Sequence, residues 1–247
     1  AASDVYKRQI LSDLITVYGT QIFSPLSAWR ASVGTTFILD PWFTAIVLIG
    51  VIASARTGQH RYAGISRGIL IAYIGMQALL KQQALDIATA RGEQAQRAPV
   101  RTAALPQPFS PFNWKLMIDY GEDYELAYLN LSGGYDFCKQ IAGFWGEVCN
   151  TYKTPEELDW QQDTRFGGAA DQARIRALWN DPQLDYFRRF AEYPAFYRVD
   201  RDAEKTCVWF TDLRYKLPYM KAPFRYGLCG HGLSPDWLLN RLKRSAD

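Results

Sequence analysis

The sequence predicts an α-helical membrane part followed by an extramembrane α+β domain with a mostly antiparallel sheet. Residues 41–55 form a run without a charged side chain, PWFTAIVLIGVIASA, and residues 68–80 form a second, GILIAYIGMQALL. The chain after Ala98 is instead aromatic, charged and interrupted by turns, as is typical of a domain in water. All four cysteines lie in this second region, which indicates a different environment for it.

Size and charge narrow the classes of partner. The 247 residues suffice for one domain with a full core, or for a membrane part and a modest soluble domain. The net charge of +3 is small and scattered, and no cluster of Lys and Arg with interleaved aromatic residues is present. We therefore expect a lipid bilayer and no nucleic acid as partner, and the sequence names no protein partner.

Two transmembrane helices are predicted, over about residues 41–55 and 67–82, after a shorter helix at residues 10–18. Each run is apolar around its whole circumference rather than along one stripe, which favours lipid over a protein core. Both runs are shorter than the roughly 20 residues that cross a bilayer, so two buried helices of a soluble bundle remain the alternative. Polar residues bracket the runs, with Asp40 also expected to cap the first helix.

The loop between the two runs favours one membrane orientation. It carries Arg56, Arg61 and Arg67 without an acidic residue, and such loops usually face the cytoplasm. This predicts an inner-membrane protein whose C-terminal domain lies in the periplasm.

The chain divides into four predicted segments. Residues 1–9, AASDVYKRQ, resemble the translation of a sequencing adapter and are excluded from fold reasoning, so we expect the natural protein to begin upstream. Residues 10–98 form the membrane-associated helical region, and residues 99–112, with four prolines, form a linker. Residues 113–247 form the α+β domain.

Within the α+β domain, the pattern predicts two β-hairpins. One joins NWKLMIDY to YELAYLNL around a glycine-containing turn at residues 113–131, and the other joins AFYRVDRD to CVWFTDLRY at residues 195–215. A helix is expected at about residues 168–180 and a last short strand at residues 223–228.

The four cysteines predict disulfides in an oxidising compartment. An even number confined to one domain suits two bridges. Metal binding is the alternative, but no C-x-x-C spacing occurs and the chain has only two histidines, His60 and His231. The four residues are Cys138, Cys149, Cys207 and Cys229. They allow three pairings, and we favour the one that joins cysteines close to each other in sequence.

A complete active site is not evident in the sequence. No G-x-S-x-G motif, P-loop or G-x-G-x-x-G motif is present. Asp13 lies on an apolar stripe, where an ionisable residue at a membrane usually faces a polar cavity, although a surface helix beside the bilayer is equally compatible. Asp212 and Arg214, two positions apart on one predicted strand face, form a candidate polar pair. They could make an ion pair or bind an anion, and the ion pair is the favoured interpretation.

Several spaced motifs together carry a family resemblance. They are DLITVYGTQIFSPLSAWR, FILDPWFT, PQPFSPFNWKLMI, RFAEYPAFYRV and VWFTDLRY. In this order they resemble the YdjM-like family of predicted membrane-bound metal-dependent hydrolases of the bacterial inner membrane. The resemblance extends from Ile10 to about residue 228.

The resemblance implies a metal site near the N-terminus. Family members carry a His-rich segment that ends in a pattern like His-x-x-x-Asp before Tyr-Gly-Thr. Asp13 matches that Asp and is the implied metal ligand, whereas Gln9 stands at the His position. Residues i and i+4 share one helix face and can hold one ion. The resemblance therefore implies a divalent metal, with zinc favoured, in the full-length protein and none in this N-terminally truncated chain.

The implied reaction is metal-assisted hydrolysis of an ester or phosphoester by an activated water. The alternative is a non-enzymatic, membrane-anchored envelope protein whose C-terminal domain binds a partner. Aromatic residues make up 15% of the chain, which suits a binding surface as well as an aromatic core.

Overall fold

The structure, a computed structural model, describes residues 34–37, 40–133, 140, 142–168, 171–202, 205–231 and 237–242. The helix expected at residues 10–18 lies outside these residues. The chain divides into two compact units. Unit 1 comprises the described residues of Ala1–Gln96, Thr102–Met117 and Ala127–Asp159, and unit 2 those of Arg97–Arg101, Ile118–Leu126 and Trp160–Asp247.

Two helices follow one another at the start of unit 1, α1 (Pro41–Thr57) and α2 (Arg61–Gln94). The capping role predicted for Asp40 is confirmed, because its Oδ1 accepts hydrogen bonds from the backbone N–H groups of Trp42 and Phe43 at 2.9 and 3.0 Å. Pro41 occupies the first helical position, where its missing N–H costs nothing. Gly58 ends α1 in the left-handed conformation, with φ +67°.

The two helices differ in length. With 34 residues, α2 spans about 50 Å at a rise of about 1.5 Å per residue, and it is long and apolar enough to cross a membrane. The 17 residues of α1 span about 25 Å, less than the roughly 30 Å hydrocarbon core of a bilayer. Among the described residues, α2 alone meets the length criterion, so a second transmembrane helix stays a prediction.

Contacts between α1 and α2 make them an antiparallel hairpin, called here the helical hairpin (residues 41–94). The Ser66 hydroxyl donates to the Ile46 carbonyl at 2.7 Å, while the start of α1 meets Tyr73 further along α2. A Cβ atom added to Gly50 would lie 2.3 Å from the Ser66 Cβ. Glycine is therefore needed at residue 50 for the close approach of the two helices.

The remaining described chain contains two antiparallel four-stranded sheets and short helices. The first sheet has the order β1-β2-β3-β4, with strands Arg101–Pro106, Asn113–Asp119, Asp123–Asn130 and Gln161–Thr164. The second has the order β5-β6-β7-β8, with strands Pro194–Arg201, Lys205–Asp212, Arg225–His231 and Trp237–Arg241. Both predicted hairpins are confirmed as the adjacent pairs β2–β3 and β5–β6. The helices are α3 (Phe144–Asn150), α4 (Gln172–Trp179) and α5 (Asp185–Phe190).

Part of the expected linker at residues 99–112 is a strand. β1 occupies residues 101–106 and lies at the edge of the first sheet. Prolines indicate a linker in most sequences, but an edge strand tolerates a proline because one side of it makes no ladder hydrogen bonds. Pro106 ends β1 in such a position.

The core of unit 2 lies between its helices and the second sheet. Ile175 and Trp179 of α4 and Phe187 of α5 pack with Phe210 of β6 and Leu228 of β7. The Trp179 and Phe210 rings lie 5.0 Å apart. The predicted helix at 168–180 therefore exists as the shorter α4, and its apolar side covers the sheet.

Candidate functional site

The metal site implied by the family resemblance cannot be located in the structure, because Asp13 lies outside the described residues. In the part of the chain that the structure describes, no group of three His, Cys, Asp or Glu side chains is placed to hold a metal ion. His60 is exposed at the start of α2, where it makes no side-chain cap hydrogen bond.

A polar cluster lies at the open end of the helical hairpin and is called here the base cluster (Asp40, Tyr73 and Gln77). The Tyr73 hydroxyl donates to Asp40 Oδ2 at 2.7 Å and accepts from Gln77 Nε2 at 3.1 Å. Asp40 and Gln77 are buried, and Gln77 Oε1 has no hydrogen-bond partner among the described residues. Both Asp40 carboxylate oxygens accept hydrogen bonds within the protein. This carboxylate therefore joins α1 to α2 rather than binding a ligand.

Unit 2 contains a charge cluster in which the buried Asp212 and Arg214 are joined by the exposed Glu192; it is called here the buried charge cluster after its first two members. Arg214 Nη2 lies 2.7 Å from Asp212 Oδ2, and Arg214 Nη1 lies 2.8 Å from Glu192 Oε1. Arg214 Nη2 also donates to the Phe190 carbonyl at 2.9 Å. The structure thus brings the predicted polar pair together as an ion pair. Arg214 itself lies in a 3₁₀ turn, Leu213–Tyr215, after β6 rather than on the strand.

The electrostatics of this cluster favour a structural role. Asp212 is fully buried, and its backbone partners include the N–H groups of Arg214 at 3.0 Å and Glu192 at 3.2 Å. Burial by itself would lower the pKa of the Arg214 guanidinium, but the attraction of Asp212 and Glu192 outweighs it and raises that pKa. Because two carboxylates and a carbonyl occupy the guanidinium, it is not available to bind an external anion.

An open cleft of about 420 Å³ lies in unit 2 beside the turn after β6. Its walls include three aromatic or long apolar side chains and three charged ones, namely Tyr197, Tyr219, Met220, Asp163, Lys216 and Lys221. Lys216 Nζ and Asp163 Oδ2 form an ion pair at 2.6 Å on one wall. The volume falls in the range of small-ligand sites, and the mixture of aromatic and charged walls suits a polar ligand with apolar faces.

The cysteines lie in both units. Cys207 and Cys229 are opposite each other on β6 and β7 and form a disulfide with a Cα–Cα distance of 4.0 Å. Cys149, in α3, is also disulfide-bonded. Cys138 lies outside the described residues.

Comparison with known proteins supports a membrane location for the N-terminal part. The model of the YdjM inner membrane protein family matches residues 8–84. No curated protein and no solved structure matches the chain. The match covers Asp13, the base cluster and most of the helical hairpin. This segment is thus similar to proteins of the inner membrane.

Sequence reasoning missed the partners that long-range contacts supply. Glu192 lies within the motif RFAEYPAFYRV, yet nothing local indicates that it forms an ion pair with Arg214. Tyr73 lies in the middle of an apolar run, where a tyrosine suggests an interface more than a hydrogen bond to Asp40. The sequence carries one weak indication of the cleft, the turn sequence KLPYMKAP with two prolines, an aromatic residue and two lysines.

Proposed function

We propose that this protein is embedded in the bacterial inner membrane through the helical hairpin and is a metal-dependent hydrolase that acts on an ester or phosphoester near the bilayer. We further propose two membrane spans and a periplasmic unit 2. The observation that carries the membrane part of this proposal is the exposed apolar surface of α1 and α2 in a segment that matches an inner-membrane family.

The exposed side chains of the helical hairpin support a lipid environment. Large aliphatic residues are exposed on several sides of both helices, including Leu48, Ile49, Ile52, Ile69 and Ile71. In water such a contiguous surface would be unfavourable by about 25 cal/mol for each Å² of apolar area. A bilayer removes this cost. The 25 Å length of α1 can be accommodated by local thinning and by Arg56 reaching toward the headgroups.

Two features support the periplasmic placement. The tip of the helical hairpin, from Arg56 at the end of α1 to Arg67 in α2, carries three arginines without an acidic residue. The disulfide between Cys207 and Cys229 suits an oxidising compartment.

Fractionation of cells that express the chain tests membrane embedding. We expect the protein in the membrane fraction after an alkaline carbonate wash, released only by detergent. Recovery of the chain in the soluble fraction without detergent would overturn the two-span proposal. Protease added to spheroplasts should cleave unit 2, and protection of unit 2 there would reverse the orientation.

The hydrolase part of the proposal depends on Asp13 as a metal ligand. A bound divalent ion would supply a water of lowered pKa and polarise the scissile ester. Asp13 would hold that ion, together with ligands from outside the described residues, because no set of three suitable side chains lies within them. Since Gln9 occupies the position of the family His, we expect this chain to bind no zinc unless that histidine is restored.

Restoring the histidine tests the role of Asp13. Gln9→His should tighten zinc binding relative to the unaltered chain, because His and Asp at i and i+4 face the same ion. Gln9→His with Asp13→Ala should lose this gain, whereas Gln9→His with Asp159→Ala, at an exposed acidic residue, should keep it. Equal zinc affinity with and without Asp13, measured by isothermal titration calorimetry, would rule it out as a ligand.

The cleft in unit 2 favours a second candidate function, that of a membrane-anchored envelope protein whose cleft binds a partner molecule. This candidate requires no metal. Failure of Gln9→His to bind zinc would favour it over the hydrolase.

A further inference from the structure

We propose that four aromatic side chains of unit 1 form an interfacial platform that rests in the headgroup region of the bilayer, at the end where α1 enters the membrane. The platform consists of Trp42, Phe109, Phe144 and Trp145. The proposal rests on membrane insertion of the helical hairpin and adds a second attachment, made by residues outside the hairpin. The platform contacts the lipid surface of the bilayer.

The four side chains share high exposure and lie close together. Each exposes between 43% and 54% of its surface, although large aromatic residues are normally well buried. The Phe109 and Trp145 rings meet edge to face at 4.9 Å, and Phe144 contacts Trp145 at 5.2 Å. Trp42 joins this group through its indole N–H, which donates to the Phe109 carbonyl at 3.1 Å.

The backbone conformation of Phe109 indicates that the surrounding turn holds its side chain in an exposed position. Its φ is +75°, in the left-handed region that bulky residues rarely adopt. Such a conformation is strained and persists where surrounding contacts enforce it. Here a tight turn surrounds Phe109, with Asn113 N–H donating to the Ser110 carbonyl and Gln107 N–H to the Asn113 carbonyl. The turn therefore holds an apolar ring outward at the expense of backbone strain.

The interior side of the platform is anchored. The Tyr152 hydroxyl, just after α3, donates to Gln107 Oε1 at 3.2 Å, which ties α3 to the turn that carries Phe109. Val148 of α3 packs with Tyr128 and Tyr152 in a buried cluster. Phe144 and Trp145 lie in the first turn of α3, so these contacts fix their exposed position.

Continuity with the helical hairpin identifies the bilayer as the occupant. Trp42 is the second residue of α1, and the exposed aliphatic side chains of α1 begin within two turns of it. Tryptophan favours the boundary between hydrocarbon and headgroups, where its ring is apolar and its N–H finds a polar partner. In this protein that partner is the Phe109 carbonyl, which places Phe109 and its neighbours at the level of the boundary.

Depth-dependent fluorescence quenching tests the platform. The full chain, with one added cysteine carrying an NBD label, is reconstituted into vesicles of phosphatidylethanolamine and phosphatidylglycerol. The three label sites are exposed residues, Ile49→Cys in α1, Trp145→Cys in the platform and Tyr186→Cys in unit 2 as the control. Lipids with a spin label on the headgroup or near the end of the acyl chain serve as quenchers, and the unaltered chain measures labelling of native cysteines.

The three sites distinguish the platform from membrane insertion itself. We expect the label at 49 to be quenched most by the acyl-chain lipid, the label at 145 most by the headgroup lipid, and the label at 186 by neither. Quenching at 49 without quenching at 145 would overturn the platform and leave membrane insertion intact. Absence of quenching at all three sites would overturn the proposed membrane insertion, and the platform with it.

Discussion

In the helical hairpin most large aliphatic side chains point outward, and the buried positions other than Leu80 are small or polar, among them Gly50, Gln77 and Ala84. In unit 2 the arrangement is reversed. Trp179 and Phe210 are buried between helices and sheet, and charged side chains such as Arg176 and Glu122 are exposed. The same residue types are thus sorted in opposite directions. The difference indicates two surrounding solvents. Large apolar side chains are buried where the surrounding solvent is water, and they can be exposed where it is apolar.

The two regions also place charge differently. The one buried acid described in the helical hairpin region, Asp40, uses its oxygens to bind backbone N–H groups and Tyr73. The buried charge cluster of unit 2 instead neutralises Arg214 with two carboxylates. A group buried without such partners would be costly in either region.

The largest expected effect comes from breaking the buried charge cluster. Arg214→Met leaves Asp212 buried without its cation, and removal of one partner from a buried pair costs about 3–5 kcal/mol. The measurement is the free energy of unfolding from denaturant titration in detergent. Arg189→Met, at an exposed arginine, is the matched control. Equal stability of the two variants would show that the cluster contributes nothing.

A charge on the side of α1 that we propose to face lipid should have the next largest effect. Ile49 is 68% exposed, so Ile49→Asp would be tolerated within about 0.5 kcal/mol in water but would cost about 2.5–3.5 kcal/mol at a bilayer centre. The measurement is the fraction of protein retained in washed membranes. Tyr186→Asp, at an exposed aromatic residue of unit 2, should leave that fraction unchanged. Similar retention of both variants would contradict the comparison between the regions.

Packing between α1 and α2 predicts a smaller effect. Gly50→Ala places a methyl group 2.3 Å from the Ser66 Cβ, and overpacking of this kind costs about 1–3 kcal/mol. Thermal unfolding in detergent, followed by circular dichroism at the helix band, gives the measurement. Gly75→Ala is the control, because nothing lies within 4 Å of an added methyl there. Addition of Ser66→Gly should recover part of the loss at residue 50, and an unchanged melting temperature for Gly50→Ala would refute the close contact.

The smallest expected effect concerns an exposed ion pair of unit 2. The hydrogen bonds from Arg176 lower the pKa of Glu122 below its ordinary value of 4.5. The pair therefore stabilises the folded state above pH 4.5, and this contribution disappears as the pH falls through the lowered pKa. Glu122→Gln should make the free energy of unfolding less dependent on pH below 4.5, whereas Glu156→Gln, at another exposed acid, serves as control. An identical pH profile for the wild type and Glu122→Gln would show that the pair does not contribute to the pH dependence of stability.

Much of the fold could be predicted from local pattern. The apolar runs mark the helical hairpin, and alternation around glycine-containing turns marks β2–β3 and β5–β6. Asp40 before Pro41 predicts the start of a helix. β1 could not be predicted because its proline is typical of a linker. The short polar strand β4, QQDT, could not be predicted because it has no alternation of apolar and polar residues. Its pairing with Asp123–Leu126 of β3 arises from contacts far apart in sequence.

The candidate sites were less predictable. Asp212 and Arg214 are close in sequence, so their pairing could be anticipated, but Glu192 and the Phe190 carbonyl reach Arg214 only through the fold. The cleft depends on strands and a turn that meet in space. The role of Asp13 stays a prediction that rests on the family pattern.

The sequence by itself determined which parts of this protein are apolar enough for lipid and which suit water, because that difference depends on composition and short-range periodicity. It also determined where α1 begins, since a cap and a proline act within one turn. Only the tertiary structure decided that Tyr73 meets Asp40, that Arg214 is saturated by two carboxylates, and that Phe109 is held outward beside Trp42 and Trp145. These contacts join residues that are distant in the chain, and their energies depend on burial and geometry that no local pattern specifies.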